Sequence, residues 1–182
     1  MIYKEVQADL FDYYDKGYYV AQCLSADLVA GAGIAVEFNN RLNMKNKLLN
    51  NFPHKGYVYF TNSDGTGAEV FLPTALIQDR VFNLITKERV WEKPTYQDLT
   101  IALNFMRLKI IAMLKEGNSD VNKIALPLIG CGIDGLEWKT VRKAIKEVFG
   151  DMDIKIVVCY LRLFLFRLAF SPLAKSCLPL FS

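Results

Sequence analysis

The segment from residue 123 to residue 149 constrains the fold most strongly, because it predicts a strand, a glycine-rich turn and a helix in direct succession. Residues 123–128 are mostly apolar, as in a buried strand, and residues 136–149 have the apolar spacing of an amphipathic helix. The turn between them reads Leu-Ile-Gly-Cys-Gly-Ile-Asp-Gly from residue 128 to residue 135. This order is typical of α/β folds, in which ligands bind at the carboxyl ends of strands.

The residue types in this turn indicate an anion-binding loop. Gly130, Gly132 and Gly135 leave backbone amides uncovered by side chains, so the loop could wrap closely around a phosphate. Asp134 lies in the same turn, and its carboxylate could transfer a proton or only stabilise the loop. The combination predicts a site for a nucleotide-like ligand.

A second glycine turn, Ala30-Gly31-Ala32-Gly33-Ile34-Ala35, follows a β-rich run at 18–24. It matches half of a dinucleotide-binding fingerprint, because Val36 stands where the third glycine is expected. Alone, it is explained equally well as a structural turn. Two such turns after two strands favour a diphosphate site, since a diphosphate needs amides from two sides and helix N-termini add a favourable dipole.

Further segments complete an alternation of strands and helices. The pattern predicts strands at 2–8, 18–24, 57–60, 69–72, 81–86, 123–128 and 154–160, and helices at 31–52, 96–115 and 136–149. The strand at 69–72 is expected to extend the sheet. The alternation predicts one α/β domain, with a mixed central sheet and helices on both faces.

Charge argues against broad electrostatic binding of duplex nucleic acid. The chain has 22 Lys and Arg and 19 Asp and Glu in 182 residues. Three of the basic residues, Arg162, Arg167 and Lys175, lie in a C-terminal segment without acids, so 19 basic residues face 19 acidic ones in the rest. The part of the chain before this segment has no net charge, which is still compatible with a small local basic groove for nucleic acid.

The histidine and cysteine content excludes several kinds of site. His54 is the single histidine and lies in a loop-like stretch, which favours a solvated side chain. A histidine-rich zinc site is therefore impossible, and no metal or cofactor is expected. The four cysteines lack C-x-x-C spacing, which favours reduced thiols. Any catalysis is expected to use Lys, Asp or Glu.

The two ends of the chain differ in character. The N-terminus has no apolar signal core, so the sequence predicts an intracellular protein. Residues 162–182 are apolar with interspersed Arg, too short and interrupted for a membrane span. A docked or poorly ordered extension is favoured for them over an amphipathic surface anchor, and no clear membrane partner is predicted.

Two charged residues at predicted strand ends are candidates for the site. Asp9 follows the first strand and could accept a hydrogen bond from the amine of adenine, or equally could cap a turn. Lys87 ends the apolar run Leu84-Ile85-Thr86. A half-buried lysine loses its proton readily and can act as a nucleophile, whereas a strand-end lysine can also simply reach for water.

These pieces fall in an order that resembles a known family. They are Ala8-Asp9-Leu10-Phe11, Gly31-Ala32-Gly33-Ile34-Ala35-Val36, Leu84-Ile85-Thr86-Lys87, Lys93-Pro94-Thr95-Tyr96, Ile129-Gly130-Cys131-Gly132-Ile133-Asp134 and Asp153-Ile154-Lys155-Ile156. Together they resemble a macrodomain, the α/β module that binds ADP-ribose, and more narrowly its terminal ADP-ribose protein glycohydrolase branch. The resemblance implies a three-layer macrodomain over residues 1–161, with 162–182 as an extension of unknown role.

The resemblance also implies residue roles. Asp9 and Leu10 would hold adenine, and Ser25 would line the entrance beside the distal ribose. Two glycine loops would bind the diphosphate and the distal ribose, and Thr86 and Leu128 would also contact the ligand. The loop residues are Gly31, Ala32, Gly33, Ile34 and Ala35 in the first loop and Gly130, Cys131, Gly132 and Ile133 in the second. Lys87 would attack the anomeric carbon, and Asp134 would act as the acid/base.

The implied activity is hydrolysis, without metal, of ADP-ribose from acidic residues of modified proteins and from O-acyl-ADP-ribose. Its partners would be ADP-ribose and ADP-ribosylated proteins. There are three alternatives. The protein could remove ADP-ribose from DNA bases, which would add modified nucleic acid as a partner. It could also be a non-catalytic reader of ADP-ribose, or a phosphatase that acts on ADP-ribose phosphate. The chain departs from the family in three places. Ala8 stands where glycine is usual, the segment 62–80 is longer than the hairpin of the family, and the family pattern ends near residue 161, before the C-terminal segment.

Overall fold

The structure is a computed structural model that describes residues 1–61, 63 and 65–161. Its strands are Ile2–Gln7 (β1), Tyr19–Ser25 (β2), Tyr57–Thr61 (β3), Gly67–Phe71 (β4), Thr74–Gln78 (β5), Val81–Lys87 (β6), Lys123–Leu126 (β7) and Lys155–Tyr160 (β8). Six of them form one sheet in the order β1-β8-β7-β2-β6-β5. Only β5, at one edge, runs antiparallel to its neighbour within that sheet.

The sheet is covered on both faces, as the alternation predicts. The helices are Leu10–Asp15 (α1), Ile34–Leu42 (α2), Met44–Asn51 (α3), Tyr96–Lys115 (α4) and Trp138–Phe149 (α5), with a short 3₁₀ helix at Ser119–Asn122. Buried residues of α4 and α5 pack with one face of the sheet, and those of α1, α2 and α3 pack with the other. The predicted three-layer α/β fold is therefore confirmed.

Burial explains the composition of the central strands. Every residue of β6 is buried, including the polar Asn83 and Thr86, because this inner strand has helices on both faces of the sheet. Lys87 ends the strand, so the sheet itself places its amine at the carboxyl edge. α4 begins beside this edge with a capping box, in which the side chains of Thr95 and Asp98 satisfy each other's backbone amides.

Three predictions about elements were wrong or incomplete. The segment 31–52 is two helices, because Asn43 adopts a left-handed conformation (φ 52°) that ends α2 and precedes α3. The strand at 69–72 does not extend the main sheet; β4 pairs with β3 in a separate hairpin. The sequence patterns also missed α1, which has six residues, and the edge strand β5.

Other predictions concern the exposed loops and the ends of the chain. His54 is exposed, as expected. The described cysteines, Cys23, Cys131 and Cys159, are free thiols. Among the described residues, no helix has the length and apolarity that a membrane span requires. The two interpretations of residues 162–182 lie outside the described residues.

Candidate active site

A cleft of about 900 Å³ lies at the carboxyl edge of the sheet, where both glycine turns meet. Thirteen of the sixteen residues predicted for the site line it: Asp9, Leu10, Ser25, Ala32, Gly33, Ile34, Ala35, Lys87, Leu128, Gly130, Gly132, Ile133 and Asp134. The fold thus brings together side chains that are up to 125 positions apart in sequence, counting from Asp9 to Asp134. A cleft of this volume is in the range of small-molecule and cofactor sites.

The glycine turns face each other across the cleft. A Cβ atom on Gly33 would lie 3.5 Å from the Cδ1 atom of Ile133, which belongs to the other turn. Gly33 (φ 63°) is also the residue before α2, and a Cβ atom on Gly130 (φ 70°) would lie 2.8 Å from the Leu136 Cδ1 atom, so that side chain would have to shift. The first amides of a helix have no intrahelical partner, so the start of α2 suits an anionic group.

Lys87 and Asp134 form the most buried ion pair of the cleft. The Lys87 Nζ atom lies 2.7 Å from Asp134 Oδ1, and the two side chains are 9% and 13% exposed. Nζ also donates to the backbone oxygens of Val90 and Glu92, each at 3.1 Å. Three acceptors therefore match the three protons of the ammonium group, which fixes the position of the amine.

The loop that carries these two carbonyls is itself fixed by Asp27. The Asp27 carboxylate accepts from Val90 N (3.0 Å), from Ser25 Oγ (2.5 Å) and from Val29 N (3.3 Å). Burial alone would raise the pKa of the Asp27 carboxyl, but these hydrogen bonds outweigh it and hold the pKa below its usual range. Asp27 thus connects the end of β2 to the loop that positions Lys87.

Two further side chains stiffen the same loop. The Glu92 carboxylate accepts from the amides of Glu88 and Arg89, at 3.1 and 3.0 Å. The Lys93 ammonium donates to the backbone oxygen of Ile133 and so joins the loop to the second glycine turn. Lys87 and Asp134 are therefore held by segments that are themselves tied to each other.

The opposite end of the cleft is more open. The Asp9 Oδ1 atom accepts from Phe11 N at 2.9 Å, so the capping interpretation of Asp9 is observed. Its other oxygen lies 3.6 Å from an Arg41 nitrogen, and both side chains are nearly half exposed. The Arg41 guanidinium lies over the Phe11 ring, 4.3 Å from its centre. This end presents a cation and a carboxylate to a ligand, with the cation held over the buried Phe11 ring.

Three predicted site residues do not line the cleft. Gly31 lies in the first turn and is exposed. Thr86 is buried, and its hydroxyl has no hydrogen-bond partner among the described residues. The Cys131 thiol is turned inward to the Ile129 oxygen, and burial, with Asp134 as a lesser cause, raises its pKa to about 12. Roles for these three in ligand binding stay predictions.

Sequence patterns assign no site role to four residues that shape the site, although one of them, Lys93, stands in a family-like motif. Asp27 and Glu92 bond loop amides, Lys93 links two loops, and Arg41 covers the ring of Phe11. Asp27 does stand two residues after Ser25, a spacing typical of a side-chain turn. Its contact with Val90 spans 63 positions, however, and no local pattern indicates such a contact.

Comparison with known proteins places this geometry in a family, although no family model matches the chain. It is 37% identical over 139 residues to the human ADP-ribose glycohydrolase OARD1, covering 76% of this chain and 79% of the relative. The bovine protein of the same name is 36% identical over the same length and the same share of each chain.

Solved structures agree on the fold. The macrodomain of Thermus aquaticus DarG superposes with a TM-score of 0.60 at 16% identity, over 87% of this chain and 97% of that one. DarTG of Thermosipho africanus, solved with ADP-ribose, superposes with a TM-score of 0.59 at 18% identity, over 87% of this chain and 41% of that one. The chain therefore belongs to the macrodomain family, in the ADP-ribose glycohydrolase branch that includes human OARD1.

Proposed function

We propose that this protein is a hydrolase that binds ADP-ribose and releases it from acidic residues of modified proteins and from O-acyl-ADP-ribose. The observation that carries the proposal is the buried Lys87–Asp134 pair at one end of the cleft. The relatives named ADP-ribose glycohydrolase support the same reaction. Burial of a charge pair is costly in free energy, which supports a chemical role for the pair beyond its contacts with the loop.

The geometry supports a defined proton transfer. An ammonium group has no lone pair, so Lys87 must lose one proton before it attacks. Two of its three acceptors are backbone carbonyls, which do not take up protons at ordinary pH. The third is the Asp134 carboxylate, at 2.7 Å, which is within reach for proton transfer. Asp134 is therefore the base that activates Lys87.

The reaction then proceeds in steps that balance. The Lys87 amine forms a bond to the anomeric carbon of the distal ribose, and the acceptor carboxylate leaves with the electrons of the broken C–O bond and takes the proton that Asp134 received from Lys87. The new secondary ammonium gives a proton back to Asp134, its freed lone pair expels the ring oxygen, and Asp134 passes that proton to the ring oxygen, so that a protonated imine forms. Water adds to the imine carbon with Asp134 as base, and Asp134 returns the proton to the nitrogen. The C–N bond then breaks as the new hydroxyl becomes the aldehyde carbonyl, the hydroxyl proton passes to the Lys87 amine, and free ADP-ribose leaves.

A release assay tests the activity. ADP-ribose linked to glutamate, to serine and to thymidine is incubated with the wild-type protein and with Asp134→Asn, and released ADP-ribose is quantified. We expect release from glutamate, and a loss of roughly 10²–10⁴-fold in the variant, which keeps the size of the side chain but not its basicity. Release only from thymidine would instead favour the DNA-base alternative, and ADP-ribose binding without release would favour a reader.

Borohydride tests the covalent step separately. Reduction during turnover should attach ADP-ribose to Lys87 of the wild-type protein, because an imine is reducible, and mass spectrometry locates the adduct. Turnover without any adduct would favour attack by water assisted by Asp134.

We also propose that the protein acts inside the cell. Three described cysteines are free, and unpaired thiols are typical of a reducing compartment. Fractionation of the source cells with an antibody to the protein tests this, and recovery from the medium alone would contradict it.

A further inference from the structure

An exposed tryptophan stands beside the catalytic lysine without a function in the proposed reaction. Trp91 is 74% exposed. Its neighbours on both sides, Val90 and Glu92, supply the two carbonyl oxygens that accept from Lys87 Nζ. Within the described part of the chain, the Trp91 ring has no hydrogen bond or ring contact. Large exposed aromatic side chains next to a site often mark a surface that another molecule covers.

Three more apolar side chains are exposed around the same end of the cleft. Val29, Val90 and Ile133 are 47%, 37% and 55% exposed, and all three line the cleft. The backbone amides of Val29 and Val90 donate to the same carboxylate, that of Asp27, so the backbones of these two residues lie near each other. Ile133 is joined to the loop through the Lys93 ammonium. We call these three cleft residues, together with Trp91, which follows Val90 in the chain and lies outside the cleft lining, the acceptor rim.

The position of the scissile bond determines which part of the substrate lies next to the acceptor rim. The acceptor is bonded to the anomeric carbon that Lys87 attacks, so the groups next to the scissile bond lie beside the loop that holds Lys87. ADP-ribose extends the other way, toward the glycine turns and Asp9. The acceptor rim is therefore in position to contact the chain that carries the modified residue.

The charges of the loop favour a polypeptide over a nucleic acid. Its exposed basic side chains already have partners: Arg89 Nε lies 3.7 Å from a Glu88 oxygen, and the Lys93 ammonium donates to a backbone carbonyl. Glu88, Glu92 and Asp27 add three carboxylates nearby. This described loop therefore offers a phosphodiester backbone no unpaired Lys or Arg, the side chains through which proteins chiefly bind it.

We propose that the acceptor rim binds a protein substrate through apolar residues flanking the modified acidic residue, with Trp91 as the main contact. The inference rests on the proposed hydrolase function and adds a preference for sequence context to it. An aromatic contact that is made equally before and during the reaction lowers KM and leaves kcat unaltered.

Matched peptides test the preference. Two peptides are prepared, each with a single ADP-ribosylated glutamate. Leu and Phe flank the glutamate in the first peptide, and Ser and Gly flank it in the second. The third substrate is O-acetyl-ADP-ribose, whose acceptor is only an acetyl group and cannot reach the acceptor rim. Each is assayed with wild type, Trp91→Ala, Trp91→Phe and the control Leu108→Ala, which removes a 60% exposed apolar side chain far along α4. Hydrolysis of O-acetyl-ADP-ribose by wild type tests the proposed function independently.

The expected result is a difference between substrates. Wild type should prefer the apolar peptide, and Trp91→Ala should lower kcat/KM on it about tenfold more than on O-acetyl-ADP-ribose, through KM. Trp91→Phe should recover most of the loss, and Leu108→Ala should behave as wild type. Equal losses on all substrates would mean that Trp91 only positions the Lys87 loop. No peptide preference would also overturn the proposal, as would a larger loss on thymidine-linked ADP-ribose assayed with the same variants.

Discussion

The two ends of the cleft hold their carboxylates in opposite ways. At one end, Lys87 and Asp134 are 9% and 13% exposed, and every proton of the amine has an acceptor. At the other end, Asp9 and Arg41 are 44% and 47% exposed and 3.6 Å apart. Water screens the second pair and not the first, so single changes should have large effects at the buried end and graded effects at the open end.

The largest effect is expected for Lys87→Ala. We expect hydrolysis to be abolished, because the proposed nucleophile is lost, while ADP-ribose should still bind through the glycine turns. Lys87→Arg should be equally inactive, since a guanidinium stays protonated. Single-turnover assays measure the reaction, and calorimetry measures binding. Hydrolysis at the wild-type rate by either variant would contradict the lysine mechanism. It would also mean that the buried Lys87–Asp134 pair is not required for catalysis.

A smaller loss is expected for Asp27→Ala, which removes the carboxylate that fixes the Val90 amide. The Val90 carbonyl would then be free to move, and displacement of a reacting group by about 1 Å costs roughly 100-fold in rate. The effect should appear in kcat more than in ADP-ribose affinity. Asp27→Asn is the control, because an amide oxygen still accepts from Val90 and should restore part of the rate.

The same carboxylate predicts a dependence of stability on pH. The folded pKa of Asp27 lies below its usual value of 3.8, so its contribution to stability is complete above that value. The contribution is lost as pH falls through the folded pKa. Urea unfolding of wild type and Asp27→Asn between pH 6 and pH 3 should therefore show curves that converge toward the acid side. Parallel curves would mean that the carboxylate is not stabilised by these hydrogen bonds.

A graded effect is expected at the open end. Asp9→Ala should weaken ADP-ribose binding and lower stability by about 1 kcal/mol, because it also removes the cap of α1. Asp9→Asn separates the two roles, since its oxygen can still accept from Phe11 N but carries no charge. Binding lost in both variants, with stability lost only in the first, would show that the charge serves the ligand. We expect only a partial loss of binding in Asp9→Ala, because this end of the cleft is exposed to water. Complete loss of ADP-ribose binding would contradict the expected contrast between graded effects at the open end and large effects at the buried end.

How far the sequence predicts this molecule depends on the range of the contacts involved. The mostly apolar residues of β6 and the long periodic pattern of α4 predict those elements directly. α1 has six residues, too few for a period to show, and β5 is a partly buried edge strand. The identity of Asn43, which tolerates a left-handed backbone, is the one local sign that 31–52 is two helices.

The site follows the same rule. Ordered motifs predict Lys87 and Asp134, which lie together as expected. The supports of that pair are contacts between loops, such as Asp27 with Val90, and depend on how β2 and β6 end side by side. The exposure of Trp91 likewise depends on packing around it, and its residue type alone would favour a buried position.

The smallest effect is expected for removal of residues 162–182. Every motif of the predicted site lies before them, and Leu161, which lines the open end of the cleft, would be retained. ADP-ribose affinity of the truncated protein, measured by calorimetry, should therefore stay within about twofold of the full chain, which is under 0.5 kcal/mol. A truncated protein that folds but binds weakly would show that the open end is completed by the extension. Aggregation would instead show that the extension covers apolar surface, for which exposed Val58, Phe60 and Val70 of the β3–β4 hairpin are candidates.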